Sequence, residues 1–303
     1  MRKDLFLPGL AVAGGIAGFG VRRWQLASAY NPDTQLFSPG AAATWVLLAL
    51  IAGLAAVFLL ALSRGKKRPD SFLAAFGCQN TLFMTVMAAA AFLFLGAGLL
   101  GLMEGMNLLT LWRLDPTGTT PLTYPISVLL CALLCFPAGA AVLMLGRSAY
   151  RGEVSAAVSR LSSFPACAGL VWLFAIHLEH STDPVLLRYV FFLAAAALLM
   201  LSLYYVAGFF FRRCRPRLAC LTALLGTVLA LTSLADGLTT FNAALAAAFI
   251  LSSLAFACPL LHVLLGPPKP KRLLDGRMPH GAKQDDGPAG PGSSGQLTQE
   301  EEF

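Results

Sequence analysis

The stretch TLFMTVMAAAAFLFLGAGLLGLM, residues 81–103, decides the fold. It contains no Asp, Glu, Lys or Arg. A bilayer's hydrocarbon core is about 30 Å thick, and a helix rising 1.5 Å per residue crosses it with about 20 apolar residues. A lipid-crossing β-strand would instead alternate apolar and polar residues over about ten positions, and this stretch does not. A helix also satisfies every backbone N–H and C=O within its own segment, which lipid demands. The stretch therefore reads as a transmembrane helix.

Working outward, seven further runs have the same character: roughly 5–21, 42–62, 125–145, 161–176, 189–211, 218–235 and 241–265. None holds a charged side chain. The runs 161–176 and 218–235 are short, so local bilayer thinning or cover from neighbouring helices is expected there. The whole reads as an all-α integral membrane protein, a bundle of about eight transmembrane helices over residues 1–266. Composition agrees. The 303 residues are 57% hydrophobic and 12% charged, where a soluble domain carries about 25% charge. No polar stretch is long enough for a second globular domain. Residues 267–303 open Pro-Pro-Lys-Pro-Lys-Arg and continue with Gly, Pro, Ser and charges. They offer too little apolar surface to order themselves and read as a disordered cytoplasmic tail. Its basic start is suited to touching anionic lipid headgroups.

Orientation follows from the basic residues. Of 22 Lys and Arg, 18 fall on one side of the expected topology, and only Arg22, Arg23, Arg113 and Arg188 fall on the other. Basic loops stay cytoplasmic, so the chain reads as a multi-pass protein of the cell membrane with both termini cytoplasmic. The same bias accounts for the net charge of +7 without a nucleic-acid partner. One rival concerns the start. Arg2, Lys3, the first apolar run and Ala27-Ser28-Ala29 imitate a cleavable signal peptide. Arg22 and Arg23, lying between the run and that site, argue against cleavage.

The seven cysteines are odd in number, lie in apolar runs or at their inner edges, and include no Cys-x-x-Cys. That pattern favours neither a disulfide framework nor a metal or redox site. Gly14 with Gly18, and Gly101 with Gly105, have the spacing that lets helices approach closely. Trp24, Trp45, Trp112 and Tyr124 are placed for an outer aromatic belt.

The polar residues that call for a reason lie at the outer ends. Glu104 directly follows the 81–103 run, and the apolar Leu108-Leu109 beyond suggests that the helix continues. An acid at that depth faces the bundle or a wet cavity and finds a partner. Arg22, Arg23 and Arg113 are the candidates, as an ion pair or as the wall of a ligand cavity. Asp236 is the acid of the last outer connection. Asp33, Asp115 and Asp183 stand beside Pro, as helix N-caps often do. His177 and His180, three apart, would share a helix face and make a weak metal candidate. No cofactor is implied. No phosphate-binding glycine loop and no nucleophile–base set is present.

Two classes of function remain. A smooth apolar bundle with a polar outer face suits a non-catalytic membrane component: an assembly, anchor or sensor subunit whose partners are the lipid bilayer and other membrane subunits. The alternative is a transporter, permease or membrane subunit of one. Ion-coupled transporters, however, usually carry polar groups near the midplane, and the runs hold no charge there.

Overall fold

The computed structural model describes residues 3–31, 36–38, 40–65, 69–115, 121–181 and 185–266. The tail expected over 267–303 lies outside the described residues. Among the described residues ten α-helices follow one another: α1 (Lys3–Ala29), α2 (Ala42–Ser63), α3 (Phe72–Phe76), α4 (Thr81–Leu114), α5 (Thr123–Arg151), α6 (Ala156–Leu161), α7 (Phe164–Glu179), α8 (Val190–Gly208), α9 (Pro216–Ser233) and α10 (Thr240–Leu265). A two-residue antiparallel ladder joins α1 to α2: β1 (Tyr30–Asn31) and β2 (Leu36–Phe37), with Tyr30 opposite Phe37. Short 3-10 turns cover Leu186–Arg188 before α8 and Leu234–Asp236 after α9. Among the described residues, eight helical segments are long and apolar enough to cross a membrane. The chain is a polytopic helical membrane protein.

Helix starts are set by side-chain oxygens that accept otherwise unpaired backbone N–H groups. Asn80 caps α4 by accepting from Leu82 N at 3.0 Å. Ser71 caps α3, Ser155 caps α6 and Thr239 caps α10. Pro165 and Pro216 stand in the first turns of α7 and α9, where a missing N–H costs nothing. At the end of α5, Gly152 takes the left-handed φ of 75° that stops the helix.

Helices α9 and α10 are the most enclosed and α2 the least. The α4–α5 pair approaches closely because each helix offers a glycine. A Cβ built on Gly98 would stand 3.1 Å from Ala132 O, and one on Gly139 3.0 Å from Ala91 O. Helix α10 lies against both α4 and α9. At its core, Trp172 of α7 stacks on Phe249 with centroids 5.3 Å apart, and Phe249 meets Phe94 edge-on. A second aromatic group, Phe72, Phe76, Phe209, Phe210 and Phe256, packs around α3.

The structure revises several expected bounds. Helix α1 runs on through Arg22 and Arg23 to Ala29 instead of stopping near 21, and α4 runs past Glu104 to Leu114. At 34 residues α4 is about 51 Å long, well beyond the hydrocarbon thickness. The run 161–176 gains length from α6, which brings that crossing to 24 residues. Asp115 ends α4 rather than starting a helix, since Leu122 precedes α5.

Candidate functional site at the Arg22 end of the bundle

Helices α1 and α9 run parallel and meet through small residues. A Cβ on Gly15 would stand 2.7 Å from the Leu231 side chain, and one on Gly18 would collide with the Thr232 hydroxyl. One helical turn further along both helices, this register delivers Arg22 to Asp236. Arg22 Nε donates to Asp236 Oδ1 at 2.7 Å. Its other nitrogens donate to Gln25 Oε1 at 2.7 Å, Leu187 O at 3.2 Å and Arg188 O at 3.0 Å. Gln25 passes the contact on, donating to Thr44 Oγ1 of α2 at 2.8 Å. The guanidinium also lies over the rings of Phe191 and Phe37, 5.0 and 5.6 Å from their centroids.

Arg22 is 0% exposed, and no other charged side chain among the described residues is fully buried. A guanidinium is tolerated away from water only when paired and hydrogen-bonded. Here one side chain ties together α1, the turn before α8 and the end of α9. The Asp236 carboxylate is less complete. Its second oxygen, Oδ2, is buried with no donor.

Beside this tie lies a cleft of about 170 Å³ lined by Glu179, His180, Arg188, Tyr189, Asp236 and Thr239, with Phe192, Leu238 and Asn242 completing it. His180 Nδ1 sits 3.1 Å from Ile176 O. A carbonyl only accepts, so Nδ1 carries a proton. The ring stacks on Tyr189 at 4.7 Å. Glu179 lies within electrostatic reach of His180 and Glu104, and its carboxylate is hydrogen-bonded by the Asn242 and Tyr124 side chains. Glu104 faces Thr239. Asn242 is held by Trp172, whose Nε1 donates to its Oδ1 at 2.9 Å. Asp236 is within reach of Arg188 and His180 as well as Arg22. Around the cleft, the carboxyl groups of Glu104, Glu179 and Asp236 thus gather near the basic groups Arg22, Arg188 and His180.

The structure brings together part of the expected set. Arg22 and Asp236 meet, but Arg22 is not the partner of Glu104, because the α1–α9 register carries it to Asp236. Arg23 and Arg113 are exposed. His177 and His180 do not converge: α7 ends at Glu179, so His180 leaves the helical face and lines the polar cleft. His177 lines an apolar groove with Leu170, Phe174 and Val190. Among the described residues no three His, Cys, Asp or Glu side chains could hold a metal ion. Tyr124 is buried rather than part of an aromatic belt. Asp33 and Asp183 lie outside the described residues. Sequence reading passed over Gln25, Trp172, Tyr189 and Asn242. Only Asn242 carried a signal, as an amide at the start of an apolar run.

Eight apolar helices and a charged cluster confined to one end define a polytopic membrane protein whose polar chemistry sits at a helix-end interface. No family model matches the chain, and no curated protein or solved structure matches it.

Proposed function

We propose that the chain is a non-catalytic component of the cell membrane, an assembly, anchor or sensor subunit. Both termini lie in the cytoplasm and the Arg22 end faces outward. The split of basic residues, 18 against 4, supports the orientation. The observation that carries the role is the fully buried Arg22 with its four hydrogen-bond acceptors. It fastens the outer ends of α1 and α9 to the turn before α8, a tie that opposes the rocking of one group of helices against another that alternating access needs. Below it, Thr227 of α9 and Ser252 of α10 are satisfied within their own helices. Thr227 donates to Ala223 O and Ser252 to Ala248 O, both at 2.8 Å. Neither hydroxyl is committed to a substrate path.

Water access at mid-bundle tests this reading. Thr227 and Ser252 are 0% exposed. In membranes, Thr227→Cys and Ser252→Cys should resist water-soluble thiol reagents added from either side. Labelling of both from alternating sides would refute the static bundle and establish transport.

A further inference from the structure

We infer that the arginines gathered where α2, α8 and α9 meet form a binding surface for the headgroups of anionic phospholipid. Helix α9 runs from this group to Asp236, so the surface lies at the end of the bundle opposite Arg22. Three membrane-crossing helices build it. Arg64 follows directly on α2, Arg212 and Arg213 follow α8, and Arg215 and Arg217 open α9. Arg217 draws the group together: its Nη2 donates to Gly65 O at 2.6 Å, which ties the end of α2 to the start of α9. All five arginines are exposed. The side chains of Arg64, Arg212, Arg213 and Arg215 make no hydrogen bond or ion pair with the described residues. Asp70, within electrostatic reach of Cys214, supplies one carboxylate nearby, and the surface stays strongly cationic.

The backbone singles out Arg212. Its φ of 56° makes it the one left-handed residue other than glycine among the described residues. Arg213 N donates to Gly208 O at 2.9 Å across it, a closure that usually carries glycine at this position. An L side chain is strained there and glycine is not. The sequence thus keeps a guanidinium where folding alone would favour glycine. What these groups face follows from their level. Each lies within a few residues of the end of a membrane-crossing segment, at the depth of the headgroups. Phe211, Leu218 and Leu60, beside the arginines or one turn inside them, are exposed and apolar, and suit the acyl chains below the phosphates. An arginine fork holds phosphate oxygens bidentately, and each basic residue near an anionic surface adds about fivefold in affinity. The cytoplasmic preference of basic loops asks only that such residues be present. It asks neither that three helix ends converge nor that Arg212 be strained. Arg147 and Arg151 obey the same preference on α5, which packs on α4 and α7, and serve as the control.

The full chain is placed in nanodiscs of phosphatidylcholine with rising fractions of phosphatidylglycerol. Thermal unfolding is followed, and retained lipid is identified by native mass spectrometry. Both leaflets share one composition, so the outcome depends neither on which end faces out nor on whether the bundle moves. The wild-type chain should be stabilised saturably by phosphatidylglycerol and retain it in preference to phosphatidylcholine. Arg213→Gln combined with Arg215→Gln should raise the fraction needed for half the effect at least about tenfold. Arg212→Gly should unfold no earlier than wild type in pure phosphatidylcholine, yet need about fivefold more phosphatidylglycerol. A merely structural Arg212 would not divide the two readouts, and this single variant decides the matter should the double one fail to fold. Arg147→Gln combined with Arg151→Gln removes the same charge and should respond as wild type does. The inference is overturned if phosphatidylglycerol leaves the wild-type chain unchanged, if the Arg212, Arg213 and Arg215 variants respond as wild type, or if the control loses the response equally. It is overturned too if inorganic phosphate, added to pure phosphatidylcholine discs, reproduces the stabilisation, since a soluble anion would then be the ligand.

Discussion

Arg22 and Asp236 differ in what their removal leaves behind. Asp236→Leu strands the Arg22 guanidinium, whose side chain is 0% exposed. Stranding such a charge costs about 3–5 kcal/mol, and full burial puts this case at the upper end. Arg22→Met strands the Asp236 carboxylate, which at 12% exposed regains part of its hydration, for a cost of about 3 kcal/mol. The double variant strands neither charge. It leaves only Gln25, Leu187 O and Arg188 O short of a donor. That residue amounts to about 1–3 kcal/mol, because replacing a buried ion pair by apolar side chains is often close to neutral. The double variant should therefore be no less stable than either single one, and several kcal/mol more stable than their sum. Reversible unfolding in bicelles, read by steric trapping, measures all three. Additivity within about 0.5 kcal/mol would mean that the two side chains do not interact, and the account of how α1, α8 and α9 are fastened would fall.

Further outcomes follow from the same packing. Gly18→Val pushes a branched side chain into the Thr232 hydroxyl and should cost about 1–3 kcal/mol. Gly20→Ala meets open space and should gain about 0.5–1 kcal/mol, both read in the same unfolding assay. Trp172→Phe keeps the stack on Phe249 but leaves Asn242 Oδ1 without its donor, which should cost about 1–3 kcal/mol. Recovery of stability on adding Asn242→Leu would confirm that source. Burial, and then the Asp70 carboxylate, push the Cys214 thiol above its ordinary pKa. Its thiolate fraction at neutral pH is thus below that of a free cysteine. Alkylation of Cys214 in permeabilised membranes should be slow at neutral pH, rise with pH above the usual thiol range, and quicken in Asp70→Asn. A chain ending at Gly266 should insert and purify as one monodisperse species, with aggregation on gel filtration the contrary result.

The crossings were legible because hydropathy is local: a run such as 81–103 declares itself within its own 23 residues. Their outer ends were not. Arg22 reads as the end of a helix because a charge normally stops an apolar run. What allows α1 to continue is a carboxylate 214 residues away, and nothing near Arg22 announces it. The same distance hid the partner choice. Glu104, Arg22 and Asp236 could all be assigned to one side of the membrane. Which of them meet is fixed by Gly15 and Gly18 against Leu231 and Thr232, a register invisible in either helix alone. The His177–His180 spacing misled for a local reason. The three-residue rule holds inside a helix, and His180 is the residue on which α7 ends, with φ −105° and ψ 15°. The short α3 and α6 were missed because five or six residues carry no periodicity to read, although Ser71 and Ser155 are ordinary caps.

The claim that the Arg22 end faces outward in an eight-crossing bundle with both ends cytoplasmic is tested most directly by site-directed labelling in intact cells. In an otherwise cysteine-free background, Thr34→Cys and Thr117→Cys should react with an impermeant maleimide. Lys66→Cys and the native Cys214 should react only after permeabilisation. Reaction of all four from outside, or of positions 66 and 214 alone, would contradict the topology and with it the outward placement of the cleft.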